Sequence, residues 1–179
     1  MKRAAGIAIL VFAVPMLQGA LAPYFPAALR PDLALLVVFG LSLCWRNTAT
    51  GLVLAAICGF VVDLFSAGLL GQHALLAVLA FAGARALSVH VSLVGAFPRM
   101  LFAAALTAAH ATGLAVLTAF FTPGAGFGLL RPGILVPQIL ANALVAPLVT
   151  VVVAVVAAWI AGEDAGRRLL RLETRRYAS

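Results

Sequence analysis

The feature that most constrains this chain is a series of apolar runs, several of them long enough to cross a bilayer and continuous rather than alternating. A crossing helix needs about 20 residues. Within lipid, only helices or a closed barrel satisfy the backbone. Barrel strands alternate apolar and polar residues, which these runs do not, so a multi-spanning helical protein is left. Composition agrees: 65% of the 179 residues are hydrophobic and 9% are charged, against roughly 25% charged in soluble chains. The mean hydropathy is +1.17. The expected fold is therefore an all-α integral membrane protein. It is one compact bundle of about six transmembrane helices over residues 1–162, with a basic cytoplasmic tail over 163–179.

The first run, Ala4 to Tyr24, follows Met1-Lys2-Arg3 and contains Pro15. A basic start, an apolar core and Ala20-Leu21-Ala22 also suit a cleaved signal peptide. Retention as a first helix is expected, because the rest of the chain is also apolar enough to be embedded. Prolines 23, 26 and 31 break the chain before a short second span, Asp32 to Trp45. Spans three to five are expected over Thr50 to Phe65, Leu69 to Leu87 and Met100 to Phe121. A flexible loop from Thr122 to Gly128 leads to the last run, Ile134 to Ala161, which Pro137 and Pro147 are expected to divide or tilt. The tail from Glu163 to Ser179 reads as a short basic helix on anionic lipid.

The net charge of +7 does not point to nucleic acid, because the basic residues sit at span ends and in the tail. With six spans, one side receives Lys2, Arg3, Arg46, Arg85, Arg99 and the five tail arginines, and the other receives Arg30 and Arg131. Positive charge favours the cytoplasmic side, so both termini are expected there, in a multi-pass protein of a cytoplasmic membrane. Arg85 is expected to snorkel to that interface. Cys44 and Cys58 lie in separate apolar runs without a metal or disulfide spacing and read as small hydrophobes.

Gly51, Ala55, Gly59 and Asp63 recur every fourth residue, so they share one helical face. Small residues at this spacing admit a close neighbouring helix, and a carboxylate ends the face. Asp32 is placed to cap span two. Asp32 and Asp63 end adjacent antiparallel spans on one side, with Arg30 and His73 near enough in sequence to neutralise them. Structural capping is the favoured reading, over proton chemistry or cation binding. His110 in span five is expected to make an interhelical hydrogen bond, with Thr107 and Thr112 close by. Gln138 and Asn142 share a face of span six and invite the same reading. Ala104, Ala108 and Thr112 repeat the small-residue spacing. No catalytic motif, metal-ligand spacing or cofactor fingerprint is present, and no enzyme is expected.

Three segments carry a resemblance: Arg30-Pro31-Asp32-Leu33-Ala34-Leu35-Leu36, Gly59-Phe60-Val61-Val62-Asp63-Leu64 and Gly68-Leu69-Leu70-Gly71-Gln72-His73-Ala74. In order and spacing they resemble the rod shape-determining protein MreD family, specifically over about Arg30 to Ala80. The resemblance implies a non-catalytic inner-membrane scaffold of the bacterial cell-elongation machinery, which builds peptidoglycan. Its implied partner is MreC, a single-span protein. It would work alongside MreB, a SEDS-type glycosyltransferase and a class B penicillin-binding transpeptidase. The implied fold is similar to the S-components of ECF vitamin transporters. Pro31, Asp32, Asp63, Gly68, Gly71 and His73 are motif positions expected to shape helix ends or a partner surface, together with Gly51, Ala55 and Gly59. The fold analogy and the intramembrane polar groups His110, Gln138 and Asn142 support the alternative, a membrane binder of a small molecule such as a vitamin.

Overall fold

The computed structural model describes residues 6, 9–24, 26, 29–45, 47–66, 68–91, 93, 95–122 and 127–176. The charges expected at Lys2, Arg3 and Arg46, and the 123–126 part of the expected loop, lie outside these residues. A π-helical turn, Ile9–Ala13, leads into α1 (Val14–Leu21). Then follow α2 (Leu33–Cys44), α3 (Thr48–Phe65), α4 (Gln72–Ser88), α5 (Ala96–Phe121) and α6 (Pro132–Arg176). Among the described residues there are no strands. Among the described residues, three helices are long and apolar enough to cross a membrane: α3, α5 and the Pro132–Trp159 part of α6.

Two helical hairpins, α3–α4 and α5–α6, are the most extensively packed pairs, and α2 lies between them. The nine residues Ala34 to Ser42 are all buried. A helix that is apolar all round belongs in an interior, and the short α2 is enclosed by its neighbours. Twelve residues rise only about 18 Å, less than the roughly 30 Å of hydrocarbon. Close approach to α2 is set by Gly40: a Cβ there would stand 2.9 Å from Val153 Cβ on α6.

The small-residue face of α3 is turned inward. Gly51, Ala55, Gly59 and Asp63 are all buried. Gly51 faces the Phe81 ring of α4, and Gly59 faces the backbone of His73 and Ala74 at the start of α4. The helix this face admits is therefore α4 of the same chain, not a partner's span. Both ends of α2 are capped. Asp32 accepts from the Leu35 N–H at 3.0 Å at its start. Arg85 donates to the carbonyls of Ser42 and Trp45 at 3.1 and 2.6 Å at its end. Arg85 therefore serves the last carbonyls of α2.

Two further expectations are corrected. Helix α6 runs unbroken through Pro137 and Pro147 and continues to Arg176, so the prolines do not divide it and residues 163–176 continue α6 instead of forming a separate helix. Helix α4 begins at Gln72, three residues later than expected, because Leu69 to Gly71 form the turn. Cys58 is buried and Cys44 half-buried, and neither is in a disulfide.

Candidate functional site

A group of polar residues gathers where α2 and α4 begin and α3 ends. Asp63 is the most completely engaged. Its carboxylate accepts from the backbone N–H groups of Gly71 (3.0 Å), His73 (3.0 Å) and Ala74 (3.1 Å). Its Oδ1 also lies 2.8 Å from His73 Nδ1. An acid on one helix thus caps the first turn of the next, meeting orphan donors and the positive end of the helix dipole. The turn allows this because Gly71 adopts φ +95°, a conformation natural only to glycine. Gly68 precedes the turn, and a Cβ there would stand 2.6 Å from Gln72 Nε2.

Asp32 lies on the same side of the molecule but serves a different helix. Pro31 precedes it, and its carbonyl accepts from the Leu33 N–H at 3.1 Å. The Asp32 N–H donates to Asn142 Oδ1 at 2.7 Å. Asn142 Nδ2 in turn donates to Thr107 Oγ1 at 3.0 Å, and Thr107 donates to the Ala103 carbonyl at 2.7 Å. Gln18 of α1 completes the arrangement by accepting from the Ala34 N–H at 3.0 Å. Orphan donors at the start of α2 are therefore met by side chains from three helices: its own cap, α1 and α6. Asn142 is fully buried, and it stands ten residues past the start of α6, about 15 Å along the axis.

Asn142→Leu removes an acceptor from the Asp32 N–H and a donor to Thr107. We expect a loss of about 1–3 kcal/mol, read as a lower midpoint in detergent unfolding. A midpoint unchanged from the parent protein would show that this bridge is dispensable.

His110 does not make the expected interhelical hydrogen bond; Asn142 and Thr107 make one instead. The nearest acid oxygen, Asp32 Oδ2, is 4.0 Å from His110 Nε2, and the buried Nδ1 has no hydrogen-bond partner among the described residues. The rings of His73 and His110 are 6.1 Å apart between centroids. A cavity of about 300 Å³ opens beside them, with Gln18, Arg30, Asp32, His73, His110 and Gln138 on its wall. A small void of about 20 Å³ adjoins it, lined in part by Asp32, Gly59, His73 and His110. On the far side of His110, an apolar groove of about 480 Å³ runs between α4 and α5, lined by residues such as Leu76, Gly83 and Phe102.

The structure therefore brings together Asp32, Asp63, Gly71, His73, His110, Gln138 and Asn142. It leaves Gly51 and Ala55 at the distant part of the α3–α4 seam. The two carboxylates do not form a pair, since they cap different helices, Asp32 α2 and Asp63 α4. Sequence reasoning missed Gln18, although it is the lone amide in the first apolar run, which was the available signal. Among the described residues, no group of His, Cys, Asp and Glu is placed to hold a metal ion.

Compared with known proteins, the chain matches no family model, no curated protein and no solved structure.

Proposed function

We propose that this protein is a non-catalytic scaffold of the MreD type, crossing a bacterial inner membrane six times with both termini in the cytoplasm. It binds an MreC-like single-span protein and so helps organise MreB, the SEDS glycosyltransferase and the class B transpeptidase. The basic tail meets anionic lipid. The observation that carries this reading is that the spaced motif is one mechanical joint. Gly59 admits the backbone of His73 and Ala74, and Asp63 caps α4 through three N–H groups. Gly71 provides the left-handed turn between them. Residues scattered over sixteen positions, Gly59 to Ala74, thus serve a single corner. That corner holds Leu64, Phe65 and Leu70 outward, 60%, 62% and 72% exposed, which suits a partner's apolar span.

The test is co-purification with the MreC-like protein of the same cell in mild detergent, followed by intact mass determination of the complex. A stable complex is expected, and Phe65→Ala with Leu70→Ala is expected to weaken it while the protein still inserts and folds. A protein that purifies alone from cells holding its MreC-like neighbour would overturn the reading.

A further inference from the structure

The cavity beside His110 holds more unmet polar capacity than a capped helix end requires. Asp63 is satisfied by four contacts, and Asn142 by two. Asp32 uses only Oδ1, for the cap; its Oδ2 makes no hydrogen bond among the described residues and reaches no closer than 4.0 Å to His110. The His110 side chain is 12% exposed and its Nδ1 is unpartnered. Neutral imidazole offers one acceptor and one donor; among the described residues Nδ1 has no partner, and Nε2 lies 4.0 Å from Asp32 Oδ2. Leaving such groups unmet in an interior is costly. A concave cavity with a few convergent polar groups is the usual form of a ligand site.

The charges on the wall define the ligand. Asp32 calls for a positive donor, while Arg30 lines the same cavity and repels a simple cation. Its guanidinium keeps a fixed positive charge, which draws the acidic group of a ligand toward it. The two helix N-termini are each already met by a carboxylate. A molecule carrying both an ammonium and an acidic group matches this wall; a lone anion or a lone cation does not. We infer that this cavity binds the head of a zwitterionic primary amine, with its ammonium donating to Asp32 Oδ2 and to the imidazole of His110 and its acidic group toward Arg30. Gln138, on the same wall, supplies an amide to either group. His110 also lines the apolar groove between α4 and α5, so a hydrocarbon chain attached to the head has a path into lipid. The ligand is thus an aminophospholipid head or a free zwitterionic amine of the same chemistry. This site is separate from the exposed corner at Phe65 and Leu70, and its test needs no partner protein.

The experiment exposes the purified full chain in mixed micelles to equal amounts of phosphatidylethanolamine and phosphatidylcholine with identical acyl chains. Retained lipid is counted by native mass spectrometry. The two lipids share a phosphate, but the quaternary ammonium of the second has no N–H to donate. We expect phosphatidylethanolamine to be retained about tenfold over phosphatidylcholine, the selectivity one charge-assisted hydrogen bond supplies. Asp32→Asn keeps the oxygen that caps α2 and should abolish the preference. His110→Phe should do the same if Asp32→Asn does not fold. A parallel arm measures thermal shifts with phosphoethanolamine and with ethanolamine. A shift with phosphoethanolamine, absent from the variants and unaccompanied by lipid preference, would assign the site to the free amine. The absence of both preference and shift would overturn the proposal, as would a lipid preference that survives in both variants.

Discussion

Replacing Asp63 by alanine is expected to cost more stability than any other single polar substitution in this protein. The carboxylate is fully buried and engages three backbone N–H groups and the His73 ring. Each buried donor left without an acceptor costs about 1–3 kcal/mol. Partial access of water through the adjoining turn reduces the sum, so a total loss of about 3–5 kcal/mol is expected, in the range for breaking a buried charged network. Asp63→Asn keeps one acceptor oxygen but turns an NH₂ toward backbone donors, and should lose about half as much. Equilibrium unfolding in detergent, followed by helical circular dichroism, measures both. A loss below about 1 kcal/mol for alanine, the scale of an ordinary helix cap, would show that α4 starts correctly without this acid.

The second large effect is expected at Gly59. A Cβ on this residue would stand 2.6 Å from the Ala74 Cα and meet the His73 carbonyl. Both are backbone atoms, which cannot turn aside as a side-chain tip can. Gly59→Ala should therefore destabilise by about 1–3 kcal/mol, the usual cost of overpacking, despite alanine's better helix propensity. Gly59→Leu should prevent α4 from seating and leave little folded protein. Gly83→Ala is the matched control, because a Cβ there meets nothing within 4 Å. It should be neutral or stabilising by up to about 1 kcal/mol. Equal behaviour of the two alanine variants would refute the close α3–α4 approach. The two glycines differ only in where the tertiary structure places them.

Glycine 59 also shows how far local reading reaches. Its four-residue spacing with Gly51, Ala55 and Asp63 announces a face for close helix contact, and that face is in close contact. What spacing cannot tell is whose helix arrives, because the groove is equally suited to α4 and to a partner. His110 shows a different limit. A histidine inside an apolar run reads as an interhelical hydrogen bond, yet its ring lines a cavity while Asn142 reaches past it to Thr107. The relative rotation of α5 and α6 decides this, and their small and large apolar residues, which fit several rotations, do not specify it.

From the sequence alone follow the helical class, the absence of strand-like alternation, the breaks at prolines and glycines, and the capping of α2 by Asp32. These depend on hydropathy and on contacts within one helical turn, which neighbouring residues determine. Only the tertiary structure decided that the short α2 lies enclosed between two hairpins, and that Asp63 serves the start of α4 rather than the end of its own helix. It also decided that Gln18 and Asn142 meet at the N-terminus of α2. Those contacts join residues 16 and 110 positions apart. They exist because buried backbone donors must find acceptors, and the chain path determines which side chains are within reach.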